Sequence, residues 1–335
     1  MSSANVWILG EQENDQIKLV TFELLKRGRL LADKRQATLT AVLLGQSLPN
    51  ALLEVLFHYG ADQVIIAEHP IFNHYLPDPY INTLHRLIGR YQPEILIASA
   101  TTTGRSVMPA VAIKCHTGLT ADCTELDIEE QTGNLIQTRP AIGGNILATI
   151  KTPNHRPQMA TVRPHSNKPL PPDPSRSGSI IRESIPDECL KTRIRRLDFR
   201  PAVDDDANIQ DAQIIIAGGK GCKKDDNFRS LINEVAALLN ASVGASRDAV
   251  DRGWSTYPHQ VGLSGKTVSP KLYMAVGISG SVQHLAGIKT AENIVAVNSD
   301  PDAQIFQVAN FGIIADLFEI MPLLKKKLQA RANQS

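Results

Sequence analysis

The run Val276-Gly277-Ile278-Ser279-Gly280-Ser281-Val282-Gln283-His284 gathers residue types suited to holding phosphate. It follows a short apolar segment, residues 271–275, and leads into a short helical pattern at Leu285-Ala286-Gly287. A strand that ends in glycines and serines before a helix exposes backbone N–H groups and a positive dipole end, which suits a pyrophosphate. The Gln283-His284 pair could reach the reactive part of whatever the pyrophosphate carries. Related loops recur nearby: Gly218-Gly219-Lys220-Gly221, Ala245-Ser246-Arg247 and Asn298-Ser299-Asp300 follow strand-like segments. A further loop, Gln260-Val261-Gly262-Leu263-Ser264-Gly265-Lys266, precedes the strand that feeds the Ser-Gly run. Together they supply small residues for close backbone approach, hydroxyls and amides for hydrogen bonds, and cations. Loops of this kind at successive strand ends of one sheet point to a dinucleotide.

The elements that must position these loops read as α/β twice over. In the first half, residues 6–9, 39–44, 64–67 and 95–98 are short apolar strands, separated by helical spacing across 17–31, 52–59 and 81–91. Such alternation predicts a parallel sheet covered by helices on both faces. The texture changes near Thr120, where Gly133, Gly143, Gly144, Pro153, Pro157 and Pro164 break the pattern around a strand at 159–162. Residues 169–179, rich in proline, serine and charge, read as a surface loop or linker. In residues 191–200 Arg193, Arg195 and Arg196 alternate with Ile194, Leu197 and Phe199, which fits a solvated edge strand or a partner-facing strip. Asp204-Asp205-Asp206 marks a break, so the expected domains are residues 1–205 and 206–335. The second holds strands at 214–217, 242–245, 272–276 and 294–297 and a helix over 228–239, with Lys325-Lys326-Lys327 in the final helical turns.

Bulk properties narrow the function classes. The 335-residue chain carries a net charge of +1, which calls for neither nucleic acid nor an anionic membrane as partner. No apolar run approaches the ~20 residues of a membrane span, and the absence of a leader pattern at the N-terminus reads as cytoplasmic. Four scattered cysteines, Cys115, Cys123, Cys189 and Cys222, form no C-x-x-C pair, so iron–sulfur or zinc spacing is absent and no metal site is expected. Electrons moving through this protein need an organic carrier. Neither a triad nor a catalytic carboxylate pair stands out. In the first half, Thr101-Thr102-Thr103-Gly104-Arg105 follows a strand and opens a helix, which fits either an anion site or a purely structural turn. Gly10-Glu11-Gln12-Glu13 stands where a dinucleotide-binding dehydrogenase carries G-x-G-x-x-G, which argues against a self-contained NAD enzyme.

Residues 217–324 resemble the FAD-binding domain of the α subunit of electron-transferring flavoproteins. The likeness rests on Ala217-Gly218-Gly219-Lys220-Gly221, Val243-Gly244-Ala245-Ser246-Arg247, Gln260-Val261-Gly262, the run from Val276 to Gly287, Asn298-Ser299-Asp300-Pro301 and Gly312-Ile313-Ile314-Ala315-Asp316-Leu317-Phe318. The first half resembles the prokaryotic group that includes electron-bifurcating members, through Thr117-Gly118-Leu119-Thr120-Ala121-Asp122-Cys123, Gln137-Thr138-Arg139-Pro140 and the run from Arg156 to Pro164. The resemblance implies two Rossmann-like parallel-sheet domains, the second binding FAD and the first contacting a β subunit in a heterodimer.

By that resemblance Gly277, Ser279, Gly280, Ser281, Val282, Gln283 and His284 hold the pyrophosphate and lean over the flavin. Asn298, Asp316 and Leu317 lie toward the adenosine half. Lys220, Ser246, Arg247, Gln260, Val261, Gly262, Leu263 and Ser264 complete the cofactor set, with Arg247, Ser264 and His284 nearest the redox chemistry. Lys220 stands where the family usually has arginine and can neutralise phosphate without the bidentate fork. Leu263-Ser264 replaces a commoner glutamine-threonine; Ser264 keeps the hydroxyl that points to flavin N5 but lacks the methyl that restricts rotation. His284 as donor and Arg247 as fixed cation would favour negative charge on a reduced flavin. A satisfied structural histidine, and a salt bridge from Arg247 to Asp248 or Asp251, are the plain alternatives.

The resemblance further implies a redox-carrier subunit working with an acyl-CoA dehydrogenase. It also implies NADH-linked bifurcation involving ferredoxin and a second FAD in the β subunit, faced by Arg105 and Arg139. Ile142 stands where relatives often have an aromatic residue. The rival reading is a non-redox adenine-nucleotide-binding sensor or scaffold module.

Overall fold

The computed structural model describes residues 5–13, 16–140, 147–198 and 209–332, which fall into two compact units. Ile142, Gly143, Gly144 and Asp204-Asp205-Asp206 lie outside the described residues.

The first unit runs β1 (Asn5–Leu9), β2 (Gln12–Glu13), β3 (Gln16–Ile17), α1 (Leu19–Arg35), β4 (Thr38–Gly45), α2 (Asn50–His58), β5 (Gln63–Glu68), α3 (Pro77–Tyr91), β6 (Ile95–Ser99) and α4 (Thr102–Lys114). It continues with β7 (Leu119–Cys123), β8 (Glu125–Ile128), β9 (Leu135–Pro140), β10 (Leu147–Ile150), β11 (Gln158–Val162), β12 (Ser179–Glu183) and α5 (Asp187–Leu190). Seven strands form one sheet in the order β12-β5-β4-β1-β6-β11-β7, and every pairing is parallel. Alternate residues of its central strands face opposite layers. Ile8, Leu43 and Ile97 join Leu24, Leu25, Leu53 and Phe57 of α1 and α2 on one face. Trp7, Val42 and Leu96 join Leu84, Leu87, Val107 and Met108 of α3 and α4 on the other. That is why these strands read as unbroken apolar runs rather than as an alternating pattern.

Two features depart from the sequence expectation. Beyond β7 the chain builds a small antiparallel sheet, β10-β9-β8, that the glycine- and proline-broken texture hid. Its inward residues Ile128 and Leu135 extend the first-unit core, so it is packed structure and not loop. Residues 191–198 form no strand. Thr192 Oγ1 donates to Asp78 Oδ2 at 3.1 Å and Arg193 N to the same oxygen at 3.3 Å, which ties the basic segment to the first turn of α3. The edge position is taken by β12 instead, paired with β5.

The second unit runs β13 (Ile214–Gly218), α6 (Asp225–Phe228), α7 (Glu234–Leu238), β14 (Ser242–Ala245), α8 (Arg247–Asp251), β15 (Leu272–Val276), α9 (Val282–Leu285), β16 (Asn293–Asn298), β17 (Phe311–Ile314) and α10 (Leu317–Ala332). Its five strands are all parallel, in the order β14-β13-β15-β16-β17. The expected helix over 228–239 is α6 and α7 joined through a π-helical turn at Arg229–Asn233, a widening by one residue that helical periodicity alone does not reveal. The three consecutive lysines fall in the middle of α10, and Arg331 occupies its last turn. β17 is an edge strand with Phe311 67 % and Ile314 61 % exposed.

Helix α4 packs so closely on β6 that a Cβ at Gly104 would lie 1.8 Å from the Ser99 carbonyl oxygen. Since that neighbour is backbone, Gly104→Ala is expected to destabilise the protein by about 2 kcal/mol or more. For a unit of the first unit's size, unfolding on its own transition, the midpoint should fall by about 5 °C in a thermal scan.

Candidate functional site

The parallel register of the second sheet brings the loops together. Gly218 of β13 stands opposite Ala245 of β14 and Val276 of β15, and Val276 stands opposite Val297 of β16. Four strands therefore end at one level, and the chain leaves each at the same rim. Backbone hydrogen bonds continue past the strand ends: Gly219 N donates to the Val276 carbonyl at 2.9 Å and Ser246 N to that of Gly218 at 3.0 Å. Val261 N reaches the Ala245 carbonyl at 2.9 Å, which adds the 260–266 loop to the rim.

Two glycines make the close approach possible. Gly277 turns with φ +62°, and a Cβ there would fall 2.9 Å from the Cα of Gly221. Gly280 turns with φ +81°, where a Cβ would be 2.4 Å from Ile305 N. Both conformations cost an L-residue strain even before the collisions.

The result is a cleft of about 1050 Å³, large beside the ~300–1,000 Å³ usual for ligand pockets. Of the residues singled out from sequence, Lys220, Ser246, Arg247, Val261, Gly262, Leu263 and Ser264 line it. So do Gly277, Ser279, Gly280, Ser281, Gln283, His284, Asn298, Asp316 and Leu317. Gln260 and Val282 do not: Gln260 is buried behind Ser264, and Val282 is 46 % exposed outside the cleft lining. The wall also contains Ile278 and Ser299 from the loops read in the sequence, together with Lys223, Asp248, Asp251 and Phe318, to which sequence reasoning gave no ligand role. Lys223 Nζ stands 4.7 Å from the centre of the Phe318 ring, a cation–π contact between residues almost a hundred positions apart. Only proximity to Lys220 could have signalled it.

Several wall residues also hold the loops. Asn298 Nδ2 donates to the Ile278 carbonyl at 2.9 Å while its Oδ1 accepts from Asp300 N at 3.0 Å, pinning the end of β16 to the Ser-Gly turn. Asp316 Oδ1 accepts from Phe318 N at 2.9 Å and caps α10. Ser246 caps α8 by accepting from Ala249 N. Arg247 Nε pairs with Asp251 Oδ2 at 3.3 Å, yet its side chain is 73 % exposed, so this screened pair leaves the guanidinium at the cleft.

His284 is deeply buried. Its Nε2 lies 2.9 Å from the Tyr273 hydroxyl, and its enclosed Nδ1 makes no full hydrogen bond among the described residues. Burial pushes the imidazole down to about 4, with the Val261 carbonyl pulling the other way. The ring is therefore neutral at physiological pH, and positive charge at the cleft comes from Lys220, Lys223 and Arg247.

The first unit offers a different chemistry at its corresponding rim. Thr101 caps α4 by accepting from Gly104 N at 3.2 Å, and donates its own proton to Glu11 Oε1 at 2.5 Å. Burial raises the Glu11 carboxyl above its ordinary range despite that hydrogen bond. The hydroxyl that the sequence offered to an anion is thus already given to a protein carboxyl group. Arg105 is exposed and Arg139 half-buried.

Comparison with known proteins assigns the chain to a family. An electron transfer flavoprotein domain matches residues 6–188, and an electron transfer flavoprotein FAD-binding domain matches residues 208–289. The chain belongs to the electron transfer flavoprotein α subunit family. Its relatives include an electron transfer flavoprotein subunit alpha from Thermoanaerobacterium thermosaccharolyticum, 44 % identical, with 97 % of this chain and 98 % of that protein aligned. Protein FixB of Clostridium saccharobutylicum is 41 % identical over 95 % of this chain and 94 % of its own length. The electron transfer flavoprotein subunit alpha of Megasphaera elsdenii is 38 % identical over 97 % of this chain and 96 % of its own. Membership places the chain among the flavoproteins of electron transport.

The buried His284 gives a pH signature. Between pH 6.5 and about 4 the unfolded chain takes up a proton that the folded imidazole refuses. Stability contributed by the neutral ring is complete above pH 6.5 and is lost on acidification, by up to ~1.4 kcal/mol per pH unit. His284→Gln is expected to flatten the acid side of the stability curve across that window. Urea unfolding of both proteins at pH 7 and pH 4.5 measures the difference.

Proposed function

We propose that this chain is the FAD-binding subunit of a heterodimeric electron transfer flavoprotein. Electrons pass singly through FAD held in the cleft of the second unit, between a β subunit and an acyl-CoA dehydrogenase. The observation that carries the reading is the cleft itself: a dinucleotide-sized space at aligned strand ends, floored by glycines and edged by three cations. The residues present fit FAD. A side chain at Gly277 or Gly280 would disrupt the turn that leaves backbone N–H groups open to a pyrophosphate. Lys220 and Lys223 offset phosphate charge, and Asn298, Asp316 and Leu317 line the same cleft. Bound FAD supplies the one-electron redox chemistry that the side chains lack.

The residues of the chain orient and tune that group. Arg247 holds positive charge at the cleft, and Ser264 offers a hydroxyl from the 260–266 loop. Buried His284 presents an uncharged ring, excluding water from that wall without adding charge. In the bifurcating form of this reading, Arg105 and Arg139 would face a second FAD held by the β subunit, which would divide electrons from NADH between ferredoxin and the FAD of the second-unit cleft. NADH oxidation by the purified pair that is indifferent to ferredoxin would remove that extension.

Co-expression of the chain with its β subunit is expected to yield a yellow protein with one FAD in the second-unit cleft, bleached by dithionite. A colourless protein that takes up no added FAD would favour the sensor or scaffold reading. Arg247→Ala is expected to weaken FAD binding about tenfold, the loss of some 1.4 kcal/mol, measured by fluorescence titration.

A further inference from the structure

Ser264 stands on the cleft wall as an exposed serine, and nothing in its own covalent structure fixes where its hydroxyl points. Serine lacks the γ-methyl that limits χ1 in threonine. Two neighbours outside the cleft supply the restraint. Gln260 Nε2 donates to Ser264 Oγ at 3.0 Å, and the Tyr257 hydroxyl donates to the Ser264 carbonyl at 3.2 Å. One bond holds the side chain and the other holds the backbone of the same residue.

Gln260 is itself firmly placed. It is buried, and its carbonyl accepts from Lys266 N at 2.7 Å. The 260–266 loop closes so tightly over it that a Cβ at Gly265 would meet the Gln260 carbonyl oxygen at 2.3 Å and its Cγ at 2.9 Å.

The direction of the side-chain bond has a consequence for the hydroxyl. A serine oxygen has one proton to give and lone pairs to receive. With Gln260 Nε2 filling a lone pair, the serine proton is not spent on Gln260 and is left for a group in the cleft. We propose that Gln260 is a positioning residue that fixes Ser264 as a hydrogen-bond donor into the cleft, doing for serine what a γ-methyl does for threonine. The identity of the acceptor, a ring atom of the flavin, rests on the FAD reading above; the polarity of the Gln260–Ser264 bond rests on the geometry.

The test uses the complete chain with its β subunit and 15N-labelled FAD, with the flavin nitrogen signals read by NMR. The ratio of affinities for reduced over oxidised FAD comes from dithionite titration against reference dyes. Gln260→Leu removes the restraint, and Gln260→Glu reverses it, because a carboxylate only accepts and draws the serine proton away. Both are expected to move a ring-nitrogen signal toward its unbonded position and to lower the affinity ratio about tenfold, equivalent to 59 mV for one electron. Ser264→Ala should give the same shift, and combining it with Gln260→Leu should add little. Ser264→Thr in the Gln260→Leu background should restore both readouts, since the methyl replaces the lost restraint. A structural role for Gln260 would not be rescued at position 264.

Bound FAD whose ring signals and affinity ratio are unchanged in Gln260→Glu overturns the proposal and leaves the FAD reading standing. A shift in Gln260→Leu that Ser264→Thr fails to reverse also overturns it. A wild-type protein that takes up no FAD overturns both together. Should Gln260→Leu accumulate poorly, Gln260→Glu keeps the side-chain size and decides alone.

Discussion

Everything at the candidate site depends on the parallel register of β13 with its two neighbours. Because Gly218 is level with both Ala245 and Val276, three loops start from one height, and the Gly277 turn can fold back over Gly221. A shift of one residue in either pairing would turn every side chain of the shifted strand to the other face. Ile216 and Val276 would leave the layer they share with Phe228 and Ile232, and Ala217 and Ala275 the layer they share with Val261 and Ile278. The core on both faces of the sheet therefore enforces the alignment of the rim. Hydrophobic burial, which has no directional preference of its own, becomes positional information for the polar loops through the period-two geometry of strands.

The same coupling explains what was legible in the sequence. Strands buried on both faces announce themselves as apolar runs, so both sheets could be read, and so could the loops that end their strands. What could not be read depends on distant partners. Ile128 and Leu135 look like stray apolar residues in a glycine- and proline-broken stretch until β8 and β9 are seen to extend the core of the first unit. The cations of residues 191–198 look like an edge strand, but Asp78, far away in sequence, captures that segment with one carboxylate oxygen. Lys223 joins the cleft because Phe318 on α10 lies beneath it. Gln260 carries the signature of a ligand contact by position, whereas its burial and its bond to Ser264 put it one step behind the wall. Spacing along the chain signals which segments reach the rim; it is silent on which side chain faces the ligand and which faces the loop.

The two sheets share an architecture and differ in what stands at the ends of their strands. In the first unit the chain reverses direction across the sheet between β1 and β6, the place where an open parallel sheet leaves a crevice. There the backbone presents Glu11, a buried carboxyl held by Thr101. A second negative charge placed against it would meet either an ionised carboxylate or a group already short of water, and both are unfavourable for a phosphate. In the second unit, the rim carries Lys220, Lys223 and Arg247; of its three carboxylates, Asp248 and Asp251 lie on the α8 side with Arg247, and Asp316 is engaged by the Phe318 N–H at the start of α10. Topology makes a crevice in both units; the charge set at the strand ends decides which one suits a nucleotide. One residue after β1 is enough to divert the first sheet from that task, and it does so without disturbing the sheet, because Glu11 N finds Thr21 Oγ1 at 2.8 Å and the carboxyl finds Thr101.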